Sequence, residues 1–567
     1  MRQRVPLGFG VRVLAGALAV GMLATAPAAA DPTIKTPADV LLGNRFLDET
    51  RFAQFFFAHV GPNVNEPLAH GDPVMDVTAT TGTPLPGPFA GQSISCRACH
   101  LDVQQKGVPG GGSRTYTDFA RRSPIPDRGD GQTVTVRNSQ PLFNASLARR
   151  DPFFLHFDGE FASGEDLSVA TLTGRNFGWL PGERAQAIAH IARVVREDDG
   201  SNTLAQTFGG GSYRSILLGT ANLEPANRPI PQSMRVDVMQ LADEDVVHVV
   251  ARFLDVYMRS LVGAQDADGA FTGSPYDVFL RKNGLPTQPQ RRETQNAYAR
   301  RLRHLVEKLR APAFVSEADG HFTLHDQPFV FGAVELAGLR VFLRAPRGRV
   351  RPADLERGGV GNCATCHPPP TFTDFRFHNT GAAQDEYDGI HGAGSFAALA
   401  VPDLATRNAD VDAYLPPTTA HPDANGRFRA VPAAGHPGLT DLGLWNLYGH
   451  PDFPNVQQQQ ARGRAICLSR RSTGCGRGRV GSARLLEQAI ALFKTPGLRD
   501  LSHSGPYLHT GAKDTLEDVI GFYRTSSALA REGRMRNAPP ALARIALTPG
   551  DTTPLAAFLR ALDEDFQ

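Results

Sequence analysis

Cys96-Arg97-Ala98-Cys99-His100 and Cys363-Ala364-Thr365-Cys366-His367 are the two stretches that decide how this chain is read. Two cysteines separated by two residues, with a histidine directly after, are what covalent attachment of c-type haem requires. Each thiol adds across one vinyl group of the porphyrin, and the histidine ligates iron beneath the ring. With 6 Cys and 17 His in 567 residues, chance supplies roughly 0.002 such pentapeptides. Two of them are therefore a signal. A zinc knuckle or a redox pair also uses Cys-x-x-Cys, but neither explains the histidine that follows each pair. The reading is two haem c groups, attached at Cys96 and Cys99 and at Cys363 and Cys366, with His100 and His367 as axial iron ligands.

The N-terminus agrees. Arg2, Arg4 and Arg12 precede an apolar run from Val13 to Ala24, and Ala28-Ala29-Ala30 offers a small-residue cleavage site before Asp31. Residues 1–30 read as a secretory signal peptide, too short in its apolar run for a membrane span. No other stretch has spanning length. The expectation is an exported, periplasmic protein, the compartment in which bacterial c-type haem is attached. A formal charge of +2 with 20% charged residues gives no ground for a nucleic-acid partner. Cys467 and Cys475, eight apart in an exported chain, read as a disulfide, with two free thiols as the alternative.

Along the chain, helical patterning is expected over 37–60 (with Gly43 against it), 183–196 and 243–261. In the last of these, Val246, Val250, Phe253, Leu254 and Tyr257 keep a 3.6-residue spacing. Residues 288–310 read as a charged, exposed helix, and 334–343, 482–493, 515–523 and 553–562 as further helices. Residues 61–95 and 124–160 are punctuated by Gly and Pro. Residues 411–480 show no period and read as a loop excursion. The expected fold is mainly α, with two c-type cytochrome-like haem domains carrying long loops and insertions. The N-terminal haem domain spans 31–265, an inserted helical segment 266–330, and the C-terminal haem domain 331–567.

Beyond the haem turns, several stretches stand in a recognisable order: Arg137-Asn138-Ser139-Gln140-Pro141, Phe157-Asp158-Gly159, Phe372 to Gly381, Lys494 to Asp500, and Pro506-Tyr507-Leu508-His509-Thr510-Gly511. With these the chain resembles the bacterial di-haem cytochrome c peroxidases, the group that includes MauG-type enzymes. The resemblance implies reduction of hydrogen peroxide by electrons from a small periplasmic donor, a c-type cytochrome or a cupredoxin. It makes the haem on His100 the peroxidatic one and the haem on His367 the electron-transfer one. Fourteen residues after the histidine of the Pro-Tyr-Leu-His turn the family places the sixth ligand of the second haem, methionine in peroxidases and tyrosine in MauG-type enzymes. Here that residue is Tyr523. From periodicity alone it is a core residue, on one helical face with Leu516 and Ile520, and Met535 is the rival ligand.

Around the first haem the chain departs from the pattern. Asp130 stands where the peroxidases carry a distal histidine, which predicts an open distal site. Phe157 replaces the tryptophan between the haems, and Trp179 is near enough in sequence to substitute or to be core. The distal glutamine and glutamate positions fall on Leu167 and Phe177; a slip in register brings in Asp166 or Asn176, and the catalytic acid is then Asp166 or Glu165. Read literally the pocket is apolar, without the group that moves a proton between peroxide oxygens. An open haem in such a pocket suits dioxygen, as in the related rubber oxygenases acting on an apolar substrate. A non-catalytic di-haem electron carrier or sensor is the third reading. Asn138 matches a position that helps bind one Ca2+ between the domains, with the alternative that it holds a turn. The arginines Arg462, Arg464, Arg470, Arg471, Arg477 and Arg479 read as a solvated loop or a dock for an acidic partner.

Overall fold

Helix α1 (Ala38–Leu47) carries Gly43 at its centre for a packing reason. A Cβ there would lie 2.2 Å from the Phe253 carbonyl oxygen, so its absence lets α1 rest against a later helix, backbone on backbone. In this computed structural model the described residues are 36–76, 93–100, 122–147, 149, 154–323, 325–346, 348–453, 455–470 and 482–565. The stretch 1–30, expected to be a signal peptide, lies outside them.

The N-terminal half packs α1 with α2 (Gly164–Leu172), α3 (Arg184–Glu197) and α4 (Asp243–Ser260). Leu42, Phe46, Ile191, Val195, Val246, Val250 and Phe253 are buried between them. The expected helix over 37–60 is instead broken after Leu47. The Glu49 carboxylate accepts the Arg51 N–H and opens a separate turn, Thr50–Phe52, before a short helix Gln54–His59. Charge causes the break. Arg45 pairs with Asp198 (2.8 Å), Arg51 with Glu49 (2.7 Å) and Asp198 (2.9 Å), and Tyr213 Oη donates to Glu49 (2.7 Å), all buried. A buried ionic cluster is tolerable only with its members paired, and these are.

In the C-terminal half, α5 (Pro275–Lys282), α6 (Gln295–Lys308), α7 (Ala333–Leu343), α8 (Pro352–Arg357), α9 (Val456–Arg470), α10 (Leu516–Arg531) and α11 (Thr552–Arg560) follow. Helix α6 starts seven residues later than its charge pattern suggests and is not simply exposed, since Tyr298, Ala299, Leu302 and Val306 are buried. Tyr276 and Phe279 of α5 share a core with Phe342 of α7 and Phe558 of α11. Strand structure among the described residues is one antiparallel pair, β1 (Phe377–His378) on β2 (Phe493–Lys494), in the register Phe377↔Lys494. The molecule is mainly α.

Residues 411–480 are not merely an excursion. Leu442, Leu444, Trp445, Leu447 and Tyr448 are fully buried in a core with Phe377 and Ile466. Arg407 lies inside it, donating to the carbonyls of Trp445 and Tyr448 (2.7 Å to the latter). The apolar residues sit in turns rather than on a helix face, so no period announces them. Among the described residues no helix is long and apolar enough to cross a membrane.

Candidate haem centres

Both pentapeptides fold alike. Cys96–Ala98 and Cys363–Thr365 each form one 3-10 turn, closed by His100 N–H to Cys96 O (2.9 Å) and His367 N–H to Cys363 O (2.8 Å). In such a turn residues i and i+3 eclipse, so each pair of thiols faces the same way. None of the four is in a disulfide, and all are half-buried. The first turn is tied to the end of α1 by Arg97, whose guanidinium meets Asp48 twice at 2.5 Å. At the second, a Cβ on Gly361 would lie 2.9 Å from Cys363 Sγ, so glycine clears the way to the thiol.

The histidines are prepared as neutral ligands. Burial pushes His100 down to about 4, against the pull of the Gln140 carbonyl. Burial also lowers His367, whose Nδ1 bonds to Phe372 O (2.9 Å). Fixing Nδ1 this way leaves Nε2 to a metal. Among the described residues, the buried His100 Nδ1 has no hydrogen-bond partner. Two same-facing thiols and a neutral buried imidazole at each turn fit a c-type haem.

Around the second turn, Tyr523 on α10 has its phenol pushed up by burial and by the thiols of Cys366 and Cys363. Met535 is buried too, but against Gly381, where a Cβ would meet its Cε at 2.4 Å. The two rivals share one small apolar cluster, and it is Tyr523 on which the cysteines act. His378, unremarked in the sequence, bonds Asp374 (2.9 Å) and touches Cys366; although burial opposes it, the thiol and carboxylate hold it well above its ordinary value.

Around the first turn, Phe177 is buried in the core against which Cys96 and Cys99 pack. The carboxylate candidates lie elsewhere. Asp166 is exposed in the first turn of α2, and Glu165 pairs with half-exposed His248 (3.0 Å). Leu167 is half-buried and Asn176 exposed. Asp130 is held by Arg175 in a surface pair (2.6 Å), which lowers its carboxyl. Trp179 is fully buried in the N-terminal core, its indole N–H donated to Phe52 O (3.1 Å).

Phe157 sits at a different junction. Its ring centroid is 6.1 Å from that of His509, which stacks on Phe493 at 3.6 Å. Its carbonyl accepts the Lys494 N–H (2.6 Å). Neighbouring His156 acts on His100, and Pro496, two residues past Lys494, acts on His367. One backbone hydrogen bond thus joins the stretches whose groups influence the two histidines. Lys494 is itself half-buried and pushed down to about 7 by desolvation and by Arg149. Its ammonium donates to Phe154 O (3.4 Å). Beside it, Asp158 and Asp441 pair with Arg137 (2.7 and 2.5 Å), and Glu160 with Arg429. Single acidic and basic residues scattered over 300 positions gave no sign of this network.

Asn138 is buried; its N–H donates to His509 O (2.8 Å) and its amide to Pro506 O. Cys467 is disulfide-bonded, and its expected partner Cys475 lies outside the described residues, as do Arg471, Arg477 and Arg479. Arg462 is buried, not solvated, and donates to Glu160 O (3.0 Å); Arg464 is exposed.

A chain with two such turns has the parts of a di-haem c-type protein, and its relatives are of that class: cytochrome c peroxidases and MauG-like proteins. The cytochrome-c peroxidase IdrP2 of Pseudomonas sp. (strain SCT) is 29% identical over 197 residues, 31% of this chain and 50% of the relative. The methylamine utilization protein MauG of Methylophilus methylotrophus is 39% identical over 71 residues, 12% of this chain and 20% of the relative. The chain spans half or less of the length of these curated relatives. No protein-family model matches. Among solved structures, the diheme peroxidase BthA of Burkholderia thailandensis E264 aligns over 94% of this chain and 89% of its own, at 17% identity and a TM-score of 0.42.

Proposed function

We propose that this chain is a periplasmic di-haem c-type oxidoreductase of the peroxidase kind. Hydrogen peroxide takes up two electrons and two protons to give two waters. The electrons come from a small donor, a c-type cytochrome or cupredoxin, and pass from the His367 side to the His100 side. The observation that carries the reading is the pair of like-folded Cys-x-x-Cys-His turns, Cys96–His100 and Cys363–His367. Bound haem would supply the redox chemistry; His100 and His367 would hold the two irons as neutral imidazoles, and the Tyr523 phenol would be a further ligand to the second. Asn138 and the Pro506 carbonyl are the oxygens we assign to one Ca2+, which takes six to eight in all.

A second reading, an oxygenase using dioxygen on an apolar substrate, is favoured by buried Phe177, by the pairing of Glu165 with His248 and by the exposure of Asp166 to solvent. Mass spectrometry tests the foundation. Wild type should carry two covalent haems and Cys363→Ser one, as should Cys96→Ser. A protein without covalent haem ends both readings. Mixing the reduced protein with peroxide and, separately, with dioxygen then divides them.

A further inference from the structure

The second haem turn is ringed by arginine. From 340 to 360 the chain carries six arginines against two carboxylates, and from 521 to 550 five against one, while the whole chain is only +2. The two segments are stitched into one face. Val360 and Ala546 exchange backbone hydrogen bonds (3.0 and 2.9 Å), Arg544 donates to Pro346 O (2.7 Å), and Asn362, next to Cys363, donates to Ala541 O (2.9 Å). Arg344, Arg349 and Arg357 are exposed. Among the described residues neither Arg344 nor Arg349 has an acidic partner, and Arg357 shares Asp354 with Arg351.

A groove of about 320 Å³ opens between the segments, lined by Leu355, Gly521, Arg524, Thr525, Arg531 and Leu547. Two arginines, a threonine and two leucines share its lining. Helix α10 forms one wall, and the same helix presents Tyr523 to the thiols of Cys363 and Cys366. A surface visitor in this groove is therefore one helix away from the haem attachment site.

We propose that this face docks an acidic one-electron carrier protein. The proposal rests on the reading of the His367 centre as the one that receives electrons. On each encounter one electron leaves the carrier's redox group and arrives at that centre, and no bond is made or broken. Clustered charge of one sign raises the encounter rate with a partner of the other sign and does so less as salt is added. Leu355 and Leu547 in the lining give a short-lived complex something to bury once charge has aligned it. A concave groove beside a redox centre suits a protein's projecting edge, whereas a bilayer is too flat to fill it.

The test is stopped-flow reduction of the holoprotein at low and high salt, with a reduced acidic c-type cytochrome, a reduced basic one, and ascorbate with a small mediator. The acidic donor should be the faster, slow about tenfold or more on adding salt, and slow comparably at low salt in the triple variant Arg344→Glu, Arg349→Glu, Arg357→Glu. The triple lysine variant should restore the rate, and the mediator should reduce every variant alike. Indifference of the acidic donor to charge reversal, or a faster basic donor, overturns the docking face. So does binding of anionic lipid vesicles that the glutamate variant abolishes, which would make the face a membrane contact. Failure of the underlying reading looks different: the donor's electron would appear first in the spectrum of the His100 haem.

Discussion

At the scale of single residues, Tyr523 separates the branches of chemistry open to the second centre. Burial raises its phenol, as do the thiols beside it, so deprotonation needs a compensating charge, which ferric iron provides. A phenolate ligand favours ferric iron and a thioether favours ferrous. Tyr523→Phe should turn a six-coordinate spectrum into that of an open or water-ligated iron, and Tyr523→Met should raise the potential. An optical spectrum untouched by Tyr523→Phe would assign the ligand to Met535. Phe177 is the corresponding residue at the first centre. A positioned acid–base group is worth roughly 10²–10⁴-fold, so Phe177→Glu should raise peroxide turnover toward that range. Asp166→Asn and Glu165→Gln should leave it alone, because one carboxylate faces solvent and the other His248. Loss of turnover in either would move the acid to α2. Motif spacing singled out the four cysteines, the histidine after each pair and Tyr523 as candidates. It included Lys494 and His378 within the quoted stretches but gave them no role, because what surrounds Lys494 (Phe154, Phe157 and Arg149) comes from segments far away in sequence.

Elements were legible where an apolar stripe keeps helical period and illegible where burial is achieved by turns. The helix expected over 243–261 is found as Asp243–Ser260. The core around Trp445, by contrast, hides in a stretch of Pro, Gly and Arg, because a buried arginine rather than a helix satisfies its carbonyls. Gly43 was read as a helix-weakening residue, but its role is a close helix crossing. Gly338 does the same in α7, where a Cβ would lie 1.9 Å from Pro554 O. Backbone cannot move aside as a side chain can, so Gly338→Ala should cost about 1–3 kcal/mol or more and lower the melting temperature. Gly389, in the helix Ala382–His391, has nothing within 4 Å of its Cβ position. Gly389→Ala should stabilise slightly, by about 0.5–1 kcal/mol. Equal effects of the two, read by calorimetry, would refute the packing argument.

For the whole molecule, buried imidazoles set an acid limit on the fold. His190, whose Nε2 bonds Arg51 O (2.7 Å), and His450, whose Nδ1 accepts the Asp452 N–H (3.0 Å), lie in different cores, each pushed down to about 4 by burial first. Around His190, Arg193 and Arg51 add to the effect and Glu49 opposes it; around His450, Arg407, Arg462 and Arg429 add and Asp452 opposes. In the unfolded chain both return to about 6.5. Between these values the unfolded state binds more protons, so stability rises with pH there. The contribution is complete above about pH 6.5 and lost as pH falls through 4. Glu564 works the other way: burial raises it to about 8, so its contribution is present at low pH and declines as pH rises through that value. The net slope therefore mixes signs, and the difference between proteins is the clean measurement. His190→Gln with His450→Asn keeps a hydrogen-bonding atom at each position and removes both titrations. Its urea midpoint should change less between pH 7 and pH 4 than that of wild type, even if it is lower throughout. Parallel curves for the two proteins would mean that these histidines titrate alike in the folded and unfolded chain, and that acid opens the molecule elsewhere.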